Sequence, residues 1–429
     1  MADKKLLLKN ATVVLPHAEI AADVLVEDGK VSEIRAGIEC AEAKTVDLSG
    51  KHLFPGFVDI HCHLREPGFE YKEDIASGTA AAVAGGFTSV CCMPNTKPVA
   101  DSKVVISYIK QRAAESGMAR VFPIAALTEG QRGETLAPAA ALKAAGAVAL
   151  SDDGQPVERA GMMRLALEYA SQVGLPVISH CEDMSIANGG CANEGANATR
   201  AGLKGISRAA EEVMVARDII LAETLKTSVH IAHISTAGSA QLIREAKARG
   251  VRVTCETCPH YFCADDSLIL DFDGNAKVNP PLRTQDDVRA IAEAIADGTV
   301  DAIATDHAPH SREEKEREFI RAANGISGFE TAFALSYTYL VRTGIITLPK
   351  LCSLLTDAPS RILNLPAGKL APGEWADITV ADLGAEYKID PEKFVSKGKN
   401  SPLGGRKVFG KIVFVTVGGE IKLDKLEEN

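Results

Sequence analysis

The chain has 429 residues, 46% of them hydrophobic and 24% charged, and its 47 Lys and Arg against 57 Asp and Glu give a formal net charge of −10. That length suits one large domain with a smaller companion. The acidic balance and the lack of a basic block argue against a nucleic-acid or anionic-membrane surface, and no stretch approaches the roughly 20 uninterrupted apolar residues of a membrane helix. Any anionic substrate would have to be held by positive groups inside a site, because the surface would not steer it there.

The opening segment MADKKLLLKNATVVL runs directly into a strand-like alternation and lacks the long apolar region and cleavage site of a secretion signal, so a cytoplasmic location is expected. Ten scattered cysteines fit reduced thiols in core positions, with no small disulfide framework. Residues 5–36 alternate, and Asp28-Gly29 between ADVLV and KVSEI reads as a hairpin turn.

From residue 52 to 310 one theme repeats: a short apolar, β-branched run ends in polar residues, and an Ala-rich helical stretch follows. Strands are expected in FPGFVDIHCH ending at His63, FTSVCCMPN ending at Asn95, RVFPIAAL from Arg120 and AVALSDD ending at Asp153. Four more are expected in PVISH ending at His180, SVHIAH ending at His233, VRVTCETCPH reaching His260 and VDAIATDH ending at His307. Eight such units predict an α/β fold, a closed (β/α)8 barrel of the TIM type. No GxGxxG or P-loop follows an early strand, which argues against a doubly wound nucleotide-binding sheet. Beyond the barrel, ADITVAD, KVFGKIVFVTV and EIKLD read as strands again. Both chain ends are therefore expected to build one small β domain, residues 1–54 with 366–429, around a barrel of residues 55–365.

In nearly every barrel strand a His, Asp or Asn falls at the C-terminal end, the active-site face of such barrels. His61 and His63 sit at i and i+2, so both point the same way. An isolated HxH would more often be two unremarkable histidines. Here Asp153, His180, His233 and Asp306 end four further strands, and six ligand-type residues converging on one rim point to a metal site. Four imidazoles and two carboxylates suit zinc, and six ligands exceed one tetrahedral ion, so two zinc ions joined by Asp153 are expected. Arg65 continues the face of His63 and can pair with a substrate carboxylate. Asp306, a carboxylate at the metal, is the expected acid/base group.

The segments FPGFVDIHCHLREPG, MPNT, SDDG, SHCED, HISTA, TCPHYF, NPPLR and TDHAPH resemble dihydroorotases of the bacterial, Asp-bridged type, across almost the whole chain. The resemblance implies that His61, His63 and Asp306 hold one zinc, that His180 and His233 hold the second, and that Asp153 joins them. It implies further that Asn95 and His310 help Arg65 hold the substrate carboxylate, that Asn279 contacts the pyrimidine ring, and that the Asn324-Gly325 backbone touches the substrate. The implied reaction is the reversible closure of N-carbamoyl-L-aspartate to L-dihydroorotate and water in pyrimidine biosynthesis, with the ureido nitrogen attacking the side-chain carboxyl. The family commonly has a proline where this chain has Ala323.

Hydantoinases and allantoinases also resemble the chain, but their bridge is a carboxylated lysine at the fourth strand, where AVALSDDG has none. A second alternative is a non-catalytic dihydroorotase-like scaffold for aspartate carbamoyltransferase; the six surviving ligands favour catalysis. A homo-oligomer is expected, with that transferase as a possible partner. Cys255 and Cys258 form a lone CxxC without a second pair, which does not make a metal site. His230, three residues before His233, should face the other way. His260 is expected to approach the pocket without acting as a ligand. The segment SREEKEREFIRAANGISGFET is expected to cover the site as a charged helix and a Gly-rich turn.

Overall fold

Leu-, Val- and Ile-containing segments at the start of the chain form five strands. The computed structural model, which describes residues 5–427, forms them as β1 (Lys5–Leu15), β2 (Ala18–Glu27), β3 (Lys30–Arg35), β4 (Lys44–Asp47) and β5 (His52–Pro55). Asp28 and Gly29 join β2 to β3 with φ of 50° and 79°. Positive φ at both central residues matches the right-handed twist of a two-residue hairpin.

The barrel follows as β6 (Phe57–Cys62), β7 (Phe87–Cys92), β8 (Arg120–Ala125), β9 (Ala149–Ser151) and β10 (Val177–Ser179). A short two-stranded ribbon, β11 (Ala192–Asn193) and β12 (Gly205–Ile206), interrupts it. Then come β13 (Val229–Ile231), β14 (Val253–Thr257) and β15 (Ala302–Ile303). The eight barrel strands pair in chain order. The ring closes where His63 N donates to His307 O at 2.8 Å and Thr305 donates to Asp59 through its amide at 3.0 Å and its hydroxyl at 2.5 Å. Burial pushes the Asp59 carboxyl up to about 7, against the pull of these donors.

Small and branched side chains such as Val58, Ile60, Ala149, Ile178, Ala302 and Ala304 fill the barrel floor, so the interior is packed and only the C-terminal rim is open. Helices cover the outside with their apolar stripe. Residues 160–173 bury Met163, Ala166, Leu167 and Ala170, a spacing that keeps one helical face on the sheet. The chain then returns through β16 (Ile378–Lys388), β17 (Lys407–Val417) and β18 (Glu420–Asp424), which complete the first sheet in the order β18-β17-β16-β5-β1-β2-β3, with β4 on β1. Among the described residues no helix is long and apolar enough to cross a membrane.

One expected element is much reduced. After β15 only Arg312–Lys315 is helical, and turns occupy the rest of the way to Ile326. The helix stops where the Lys315 side chain turns inward onto backbone carbonyls and Gly274 packs so closely on the Lys315 carbonyl that a Cβ there would collide with it.

Candidate active site

The strand ends bring all six ligand-type residues to one place on the rim. Asp153 lies at the centre: its carboxylate oxygens are 3.3 Å from His61 Nε2, 3.5 Å from His63 Nε2, and 3.6 Å from both His180 Nδ1 and His233 Nε2. Asp306 Oδ1 stands 3.1 Å from His63 Nε2 and 3.5 Å from His61 Nε2. His180 Nδ1 and His233 Nε2 are 2.9 Å apart. His61, His63 and Asp306 thus form one three-donor cluster, and His61, Asp153 and His233 form another.

The backbone leaves the extended region at this rim: φ is 62° at Arg65, 31° at His233 and 42° at Asp306. Left-handed backbone at non-glycine residues is unfavourable and persists where the surroundings over-determine it, as at active sites. These bends also correct one expectation. Strand alternation ends at Ile231, so His230 does not face away from the barrel interior; its Nε2 sits 3.2 Å from Glu256 Oε2, beneath His61.

The cluster fits a divalent metal. His61 Nε2 is buried and forms no hydrogen bond, although it faces two carboxylates. Burial opposes charge on His61, yet Asp153, Glu256 and Asp306 raise its pKa well above the ordinary value. Burial likewise works against the Asp153 carboxylate, but the surrounding imidazoles hold its pKa well below the usual range. A buried, anionic cluster that draws positive charge onto its imidazoles is one a cation would satisfy, and the nitrogen and oxygen donors suit zinc.

Glu256, the penultimate residue of β14, is a functional candidate that the motifs missed. It is fully buried, and its Oε1 accepts from His61 Nδ1 at 2.6 Å. That contact fixes which imidazole nitrogen faces the rim. A lone acid in a barrel strand whose other residues are uncharged is the available signal, because a buried carboxylate needs a partner. Replacing it in Glu256→Gln should weaken metal binding by about 10- to 100-fold, measured by competition with a chelator; unchanged affinity would show that His61 needs no such support.

Beside the cluster lies a cavity of about 200 Å³, lined by Arg65, Asn95, Asn279, His310, Asn324 and Gly325 together with the metal-type residues. Arg65 Nε donates to Pro309 O at 3.2 Å, and its Nη2 is 3.2 Å from His310 Nε2. Burial and the nearby Arg65 and Lys72 push the His310 pKa down to about 3, so this imidazole adds no charge. Asn95 Oδ1 accepts from His63 Nδ1 at 2.9 Å. Asn279 Nδ2 donates to Glu182 at 2.8 Å, a second partner that the motifs did not reveal. Gly325 has φ of 148°, and a Cβ there would approach Ala308 O to 2.6 Å; only glycine fits.

Cys255 and Cys258 are buried, free thiols, and burial raises the Cys258 pKa well above the ordinary value. His260 does not line the cavity; it is the second residue of a short helix, Pro259–Cys263, with its ring within 4.8 Å of Cys258 Sγ and the Asp306 carboxylate.

A family model described as "Dihydro-orotase-like" matches residues 50–239. A protein named dihydroorotase from Acetivibrio thermocellus is 52% identical over 418 residues, covering 97% of this chain and 98% of that one. Another from Geobacter metallireducens is 52% identical over 419 residues, covering 97% and 99%. Among solved structures, the L-hydantoinase (dihydropyrimidinase) of Arthrobacter aurescens superposes with a TM-score of 0.89 at 25% identity, over 98% of this chain and 96% of that one.

Proposed function

The chain belongs to the dihydroorotase family, and from that premise we propose that its rim cluster binds two zinc ions and interconverts N-carbamoyl-L-aspartate and L-dihydroorotate. The observation that carries this reading is the presence, in one cavity, of a nitrogen-and-carboxylate metal cluster and the Arg65 guanidinium. His61, His63 and Asp306 would hold one ion and His180 and His233 the other, with Asp153 between them. When bound, zinc supplies Lewis acidity at the carbonyl and a water of pKa near ~7.

The remaining work falls to the protein. Arg65 pairs with the substrate carboxylate, with Asn95 and the neutral His310 beside it. Asn279 and the Asn324–Gly325 backbone meet the ring edge. In hydrolysis Asp306 accepts the proton of the attacking water and delivers it to the departing ring nitrogen; in closure it takes the proton from the ureido nitrogen and gives it to the departing oxygen. The local cations explain how a chain of net charge −10 selects an anion. Ten free cysteines fit a reducing, cytoplasmic setting.

The likeness to an L-hydantoinase makes that activity the competitor. Zinc-loaded protein assayed in parallel on L-dihydroorotate, hydantoin and allantoin should turn over dihydroorotate by preference; activity on hydantoin with none on dihydroorotate would sink the proposal. In Asp153→Ala the second metal should be lost, since the carboxylate shared by both halves of the cluster is gone. Elemental analysis decides this, and a variant that kept the wild-type metal content and turnover would refute the bridging role.

A further inference from the structure

Lys315 is buried, 4% exposed, and its ammonium donates to three backbone carbonyls: Lys277 O at 3.1 Å, Ala323 O at 2.8 Å and Gly325 O at 3.0 Å. An ammonium has three N–H groups, so every donor is engaged. No carboxylate forms an ion pair with it among the described residues, and Asp273 acts on it only from a distance. Burial pushes its pKa down to about 7, because desolvation disfavours the charged form. A methionine or leucine would fill the space without that penalty. What the ammonium adds is a fixed spacing between carbonyls of two separate segments.

Both segments form one wall of the cavity. Val278 and Asn279 follow Lys277, and Asn324 lies between the other two accepting residues, Ala323 and Gly325; Val278, Asn279, Asn324 and Gly325 all line the cavity. Gly325 N donates back to Lys277 O at 3.0 Å. The Asn324 carbonyl is met by His310 Nε2 at 2.8 Å, while the Asn324 amide donates to no protein acceptor among the described residues. The clamp therefore surrounds a backbone donor left available to a ligand.

We infer that Lys315 is a positioning residue for substrate binding: by tying the Lys277 carbonyl to the Ala323–Gly325 segment, it sets the distance between Asn279 and the Asn324 amide. This rests on the assignment of the cavity to the substrate. Asn400 Nδ2 also donates to Gly325 O at 2.9 Å and to Ala308 O at 3.0 Å, so the segment stays attached without Lys315. Its loss should misplace the wall rather than unfold it.

The test uses the full-length, zinc-loaded enzyme as Lys315→Met and Lys315→Gln, with kcat, KM for L-dihydroorotate and metal content measured beside wild type. In Lys315→Met, KM should rise about tenfold, as loss of one neutral hydrogen bond between the displaced wall and the substrate implies, while kcat changes by less than about threefold and metal content is unchanged. Lys315→Gln, which keeps an amide donor, should fall between, and it decides the matter by the same split if the methionine variant does not fold. A KM that stays at the wild-type value overturns the inference, whether or not kcat falls, because a smaller folded fraction lowers kcat alone. A wild-type enzyme inactive on dihydroorotate would instead overturn the assignment of the cavity.

Discussion

Asp306→Asn should lower kcat by a factor of ~10²–10⁴ while leaving dihydroorotate binding largely intact. Asp306 follows β15 on left-handed backbone, φ 42°, which aims its carboxylate at His63 Nε2, 3.1 Å away. Burial raises the carboxyl's pKa, but His61, His63 and His233 more than reverse this and hold it below the usual range. The group is therefore a carboxylate at rest, able to accept a proton from water. Asparagine keeps the shape and offers an amide oxygen to a metal, yet it cannot take up and return a proton. Asparagine also tolerates left-handed backbone, so the variant should not add strain. Metal content must be measured with kcat and KM, because a lost ion would mimic a lost base. A metal-loaded Asp306→Asn enzyme with nearly full turnover would remove Asp306 from the proton path.

The barrel and the rim were legible in the sequence because each rests on a local pattern. Apolar β-branched runs mark strands, and a βα unit puts its polar C-terminal residues at the mouth whatever the helices between do. That is why His61, His63, Asp153, His180, His233 and Asp306 could be placed together before any distance was known. What escaped depends on reach across the fold. Glu256 is two side chains from the cavity and lies under His61. Asn400, in the connection between β16 and β17 of the small sheet, accepts from His310 N at 2.9 Å and holds Gly325; nothing near it in sequence suggests the site. The direction of His230 departs from strand alternation for a related reason, since alternation gives side-chain direction only while the backbone stays extended, and His233 does not. The charged run after β15 looked helical by composition, but burial of Lys315 overrode local propensity.

Arg65→Met should fail differently from Asp306→Asn, and that contrast separates binding from proton transfer. Arg65 is held by Pro309 O at 3.2 Å and stands beside His310. Its guanidinium can meet a carboxylate with two parallel hydrogen bonds. Methionine retains much of the length and apolar stem but offers no charge. Since Arg65 already sits at φ 62°, methionine inherits the same backbone strain and adds none, whereas glycine would relax the loop and confuse the result. The lost charged pair is worth roughly 1.5–3 kcal/mol, about ten- to a hundredfold in kcat/KM for dihydroorotate, and more if the substrate carboxylate is left buried without a partner. Dihydrouracil, the same ring without the carboxylate, has no such pair to lose, so its turnover should change far less. The ratio of kcat/KM for the two compounds, in wild type and in Arg65→Met, isolates the contact from any general damage to the pocket. If Arg65→Met discriminates between them as wild type does, the substrate carboxylate is bound elsewhere.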